Sequence, residues 1–82
     1  MIAVQTPRGT YHGHYRVEPV APTSGAMGFV AVLKKIGLLG PDDRYTPLPV
    51  AAELRGRWRG LTEGEAIEGL VRQFESWARA QP

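Results

Sequence analysis

The feature that most limits what this chain can become is the spacing of apolar residues near its C-terminus. Ile67, Leu70, Val71, Phe74, Trp77 and Ala78 recur at steps of three and four. At about 100° per residue they fall on one stripe of a helix. The other side carries Glu68, Arg72, Glu75 and Arg79, two i, i+4 pairs in favourable order that are each worth about 0.2–0.5 kcal/mol. Thr62-Glu63-Gly64-Glu65 fits a capping box, with the Thr62 hydroxyl accepting from the Glu65 amide and the Glu65 carboxylate reaching back to the Thr62 amide. Leu61 and Ala66 are placed for a small hydrophobic staple. Gly64 and Gly69 oppose the helix by about 1 kcal/mol each relative to alanine. One amphipathic helix is predicted over Leu61 to Gln81, and its stripe needs a partner surface.

The N-terminus supplies a candidate. Met1 to Gln5 is β-prone, Thr6-Pro7-Arg8-Gly9 has turn chemistry, and Thr10 to Val17 alternates. Tyr11, Gly13, Tyr15 and Val17 point one way, and Thr10, His12, His14 and Arg16 the other. The expectation is a hairpin with its tyrosine face inward and Pro7 in the turn, where a missing N–H costs little.

Glu18 to Gly28 is a loop by composition, and Met27 to Leu39 fits two readings. As a helix it has Thr23 or Ser24 as cap, Phe29, Val32, Leu33 and Ile36 as stripe, and Gly37 as stop. As a strand, Phe29 to Leu33 is a short apolar run rich in β-branched residues. Lys34-Lys35 followed by glycine favours the helix. Gly40 to Asp43 is a turn and Arg44 to Thr46 a short extended piece. The segment from Pro49 to Arg55 opens as a helical turn with Pro49 in its first turn. The alternative there is an edge strand over Ala52 to Arg59.

Eighty-two residues without cysteine make a single small domain over residues 1–82, near the lower size limit for a self-sufficient core. Disulfides, thiolate nucleophiles and cysteine-based metal sites are excluded. The first residues lack the pattern of a signal peptide, and no run approaches the ~18 apolar residues of a membrane span. No membrane partner is therefore expected, and the expected location is cytoplasmic. Residues 1–59 carry eight Lys/Arg against four Asp/Glu, whereas residues 60–82 carry two against four. Arginine outnumbers lysine eight to two, the usage of a high-GC coding sequence, which points to a bacterium or its phage.

Three stretches could carry function. Arg55, Arg57, Trp58 and Arg59 combine guanidiniums with an indole, the two parts of sequence-tolerant nucleic-acid binding, and Lys34 and Lys35 add to the cationic set. The plain alternative is that Trp58 plugs the core edge while the arginines are solvated. His12 and His14 share a strand face, the start of a metal site that Glu18, Asp42, Asp43 or a second subunit would have to complete. The alternative is a solvent-facing pair, and no metal site is assigned. Thr23 to Gly28 could hold an anion at a glycine-rich helix start, but no P-loop lysine follows. Ser24 and Ser76 are the only serines and neither sits in a nucleophile elbow, so no enzymatic activity and no cofactor are expected.

Leu33 to Pro47, with its Gly-Leu-Leu and Arg-Tyr-Thr, resembles the passage from recognition helix to wing in winged-helix DNA-binding domains. The match covers about 15 residues, and the N-terminal 28 residues do not read as the two preceding helices. Gly60-Leu-Thr62 through Glu65-Ala66 to Leu70 is similar to the strand-to-helix junction of HicB-type antitoxins, without the Pro-Asp-Leu-Pro-Gly segment that normally precedes it. Both resemblances imply small bacterial regulators.

The sequence thus leads us to expect an α+β domain, an N-terminal hairpin packed by the long C-terminal helix, with a second helix in the middle. Its expected role is that of a small non-enzymatic accessory or regulatory protein. It would bind a larger protein, or pair with itself, through Trp58 and the neighbouring arginines and through a face containing Phe74 and Trp77. The alternative is a nucleic-acid-binding regulator that uses Lys34, Lys35, Arg55, Arg57 and Arg59.

Overall fold

The computed structural model describes residues 1–20 and 27–82. The chain forms β1 (Ile2–Thr6), β2 (Gly9–Pro19), β3 (Phe29–Leu39), β4 (Tyr45–Leu48), β5 (Trp58–Gly60) and α1 (Glu63–Arg79), with a 3-10 turn at Ala52–Leu54. This is an α+β architecture, an antiparallel sheet with the C-terminal helix laid across one face. The strands run β1-β2-β3 side by side. Both β4 and β5 then share the far edge of β3, β4 beside Ile36–Leu39 and β5 beside Phe29–Ala31.

The expected hairpin is present. Thr6 pairs with Gly9 across a turn of Pro7 and Arg8, and the Thr6 hydroxyl donates to the Gly9 carbonyl at 3.0 Å. Tyr11, Gly13, Tyr15 and Val17 turn towards the helix, with Tyr11 and Gly13 buried. That face works as the alternation requires.

The expected middle helix is not formed: Phe29–Leu39 is strand β3, and the only helical turn described between the hairpin and α1 is the 3-10 turn at Ala52–Leu54. A β-bulge explains the mismatch. Pairing with β2 jumps from His14↔Lys35 to Tyr15↔Leu33 and leaves Lys34 as the extra residue. Ala31 and Leu33 face the helix on one side of the bulge, and Ile36 and Leu38 resume that face on the other. The step of three from Leu33 to Ile36 is therefore a strand losing phase by one residue, which imitates helical spacing. The winged-helix-like passage correspondingly runs strand, turn, strand, with Asp43 left-handed at φ 62° in the turn. The expected caps Thr23 and Ser24 lie outside the described residues, as do residues 23–26 of the glycine-rich anion site expected over Thr23 to Gly28.

Helix α1 begins as expected, with small corrections. The Glu65 amide donates to the Thr62 hydroxyl at 3.1 Å, but the Glu65 carboxylate accepts from the Leu61 amide, at 2.9 Å, rather than from Thr62. Leu61 is 75% exposed, so it forms no staple over Ala66. Arg79 reaches Glu75 at 3.7 Å; Glu68 and Arg72 form no ion pair among the described residues. Ala66, Leu70, Phe74 and Ala78 are fully buried, filling the core with Leu54, Ile36, Leu33 and the two β1 side chains Ile2 and Val4. The strand-to-helix junction is tight. A Cβ on Gly60 would come within 2.5 Å of the Ala66 amide nitrogen, so only glycine lets β5 and the first turn of α1 approach this closely.

The two helix glycines are unequal. A Cβ on Gly69 would meet the Trp58 indole at 3.2 Å, whereas one on Gly64 would meet nothing nearer than the Thr62 hydroxyl at 3.8 Å. Gly64→Ala is expected to stabilise the fold by about 0.5–1 kcal/mol through reduced backbone entropy. Gly60→Ala is expected to destabilise it by more than that. Urea denaturation of the two variants checks both signs.

Candidate functional site

With α1 on one face of the sheet, the chemistry that remains accessible lies on the other. Strand alternation decides which side chains reach it. In β5, Trp58 packs towards the helix core and over Gly69, so Arg57 and Arg59 point to the open side. In β3, Val30 and Val32 share that side with Lys34, and the bulge adds Lys35 opposite His14. In β2 the outward residues are His12, His14, Arg16 and Glu18.

Two clefts meet this face along the edge of β3, and Lys34 lines both. One, of about 520 Å³, runs between Glu18 and the Val30–Val32 strip on one side and Arg57 and Arg59 on the other. The second, of about 840 Å³, is lined by His14, Lys35, Tyr45, Pro47 and Val50 among others. Their shared position follows from topology. β5 pairs only Phe29–Ala31 and β4 only Ile36–Leu39, so Val32–Lys35 of β3 has no partner strand on that edge among the described residues. The bulge occupies this gap.

Electrostatics are one-sided. The ion pairs among the described residues are Arg16–Glu18 at 3.3 Å, Arg44–Asp42 at 3.6 Å and Arg79–Glu75. Lys34, Lys35, Arg57 and Arg59 take part in none of them. The open face thus holds these four cations and Arg16 against one carboxylate, Glu18, which Arg16 already engages. Helix α1, on the other side, carries Glu63, Glu65, Glu68 and Glu75.

Tyr45 is the exposed aromatic of this face, 48% accessible. The phenol end of its ring lies on Gly37, where any Cβ would overlap it. Its centroid stands 6.3 Å from that of His12, edge to face. Tyr45 is not among the residues that the sequence singles out. The available signal was Gly37, a strand glycine, which commonly marks the close approach of another group.

The structure separates the other expected contact residues. Arg55 lies before β5, exposed, and donates its Nε to the Val50 carbonyl at 3.1 Å. Trp58 is half-buried against the core and is no companion to the arginines on either side of it. Phe74, expected on an oligomer face, has no exposed surface at all. Trp77 is half-buried with its ring 5.2 Å from Tyr11 and 5.8 Å from Phe74. Phe74 and Trp77 thus pack largely within the chain. His12 and His14 do share a face, and no group of three or more potential metal ligands surrounds them among the described residues. No described helix is long and apolar enough to cross a membrane.

Compared with known protein families, curated proteins and solved structures, the chain matches none.

The division of labour within β5 can be measured. Trp58→Ala is expected to cost about 2–3 kcal/mol, as truncation of a large, partly buried aromatic does. Arg57→Ala and Arg59→Ala are expected to stay within about 0.5 kcal/mol of the parent, as exposed substitutions do. Chemical denaturation followed by tryptophan fluorescence, read at Trp77 in the Trp58 variant, distinguishes them.

Proposed function

We propose that the open face of the sheet binds nucleic acid. The observation that supports this reading is the gathering of Lys34, Lys35, Arg57 and Arg59 around two clefts that share Lys34, with none of the four paired with a carboxylate among the described residues. Distant in sequence, these cations converge because β5 returns to the edge of β3 beside the bulge. Guanidiniums suit the planar oxygens of a phosphate, and lysines add strongly attracting point charges. The acidic helix on the reverse side turns the molecule so that a polyanion meets the basic face first.

The reading is non-enzymatic: a small regulator, bacterial or phage, acting in the cytoplasm. The absence of cysteine is compatible with such a reducing compartment. Contact with a larger protein, or with a second copy, would have drawn on Trp58, Phe74 and Trp77. Their use in the core shifts the balance to the nucleic-acid alternative.

Four phosphate contacts imply a slope of log K against log salt of roughly −3, at about −0.7 to −0.9 per contact. Fluorescence anisotropy with a labelled mixed-sequence oligonucleotide across a salt series measures it. Each of Lys34→Ala, Lys35→Ala, Arg57→Ala and Arg59→Ala is expected to make the slope shallower by nearly one. A slope near zero, or unchanged binding by the fourfold alanine variant, would refute the assignment.

A further inference from the structure

We infer that the nucleic acid is single-stranded, and that it runs along the interrupted edge of β3 from Tyr45 past Lys34 and Lys35 to Arg57 and Arg59. This rests on the assignment of the open face to nucleic acid and specifies the ligand for it.

A duplex is read by an element that protrudes into a groove, usually a helix with basic residues on its outer side. The long helix here is unsuited to that, since residues 60–82 carry four carboxylates against two arginines and α1 lies on the reverse side of the sheet. The cations sit instead in clefts on either side of a bulge. A flexible single strand can thread such a recess, and a rigid duplex cannot.

The second requirement of single-strand binding is a surface for unstacked bases. Tyr45 provides it. Its ring rests on Gly37, with His12 edge-on beside it, and it lines the same cleft as Lys35 and His14. An aromatic plane, held down by a glycine and flanked by cations, can stack a base while the adjoining phosphates meet lysine. Towards β5 the floor changes to Val30 and Val32, with Arg57 and Arg59 as the wall. Apolar floor and cationic wall recur in both clefts. From Val30 to Gly37 the track is about 23 Å long at ~3.3 Å per residue, room for a few nucleotides. The gap adds a further element, because the backbone N–H and C=O groups along Val32–Lys35 on that edge are not taken up by a neighbouring strand and can meet base edges.

The test compares labelled oligothymidylate of about 12 nucleotides with a duplex of the same length, by anisotropy at one low salt concentration. The single strand is expected to bind at least about tenfold more tightly. Tyr45→Leu, which keeps an apolar side chain at this position but removes the π face, is expected to weaken the single strand about fivefold or more, while Tyr45→Phe retains parental affinity. Lys34→Ala with Lys35→Ala weakens binding of both forms. Equal affinity for duplex and single strand, or an unchanged affinity in Tyr45→Leu, would overturn the inference and leave the nucleic-acid assignment standing. Binding of neither form by the parent protein would overturn both.

Discussion

One extra residue in β3 governs the rest of this structure. An eleven-residue strand that keeps perfect alternation would place Ile36 and Leu38 on the side opposite Ala31 and Leu33, and half of its apolar residues would leave the core. Lys34, unpaired between Leu33 and Lys35, resets the phase. The helix can then pack along the whole strand. Leu70 and Phe74 share one core cluster with Ala31 and Leu33 from one side of the bulge and Ile36 from the other. The same residue places two lysines together on the open face, so the device that completes the core also builds the basic patch.

The edge of β3 extends this economy. It is longer than either strand that covers it, and β4 and β5 take its two ends. The chain between them leaves the sheet, makes the 3-10 turn that buries Leu54 under α1, and returns as Trp58–Gly60. Alternation within those three residues assigns Trp58 to the core and Arg59 to the open side. Charge therefore separates by face, with glutamates along the helix and cations around the bulge. A molecule of net charge +2 consequently presents one surface that is much more basic than its total suggests.

The helix and the hairpin were legible in the sequence because each repeats its period without interruption: the stripe from Ile67 to Ala78, and the alternation from Tyr11 to Val17. Strand β3 was not, because its bulge breaks a period of two into a local step of three, and Lys-Lys-Ile-Gly imitates a helix end. That strand decides which side chains share the open face, so the candidate site was legible only in its ingredients. Lys34, Lys35, Arg57 and Arg59 could be picked out as cations, but their convergence depends on a pairing between residues nearly thirty positions apart. Trp58 kept two readings in the sequence, a partner of its arginines or a plug at the core edge, and it packs against the core. Composition groups it with its arginines, whereas a strand sends neighbours to opposite sides. The costly Gly69 is its counterpart, a helix glycine kept small beneath the indole.

The most direct measurement is a nuclear magnetic resonance titration of the isotopically labelled protein with a short single-stranded oligonucleotide, following each backbone amide. If the open face is the binding surface, the shifts will concentrate at Lys34, Lys35, Gly37, Tyr45 and Arg57 to Arg59, while Glu68, Arg72 and Glu75 on the outer side of α1 stay in place. Shifts centred on that outer helix side, or no shifts at saturating oligonucleotide, would contradict it.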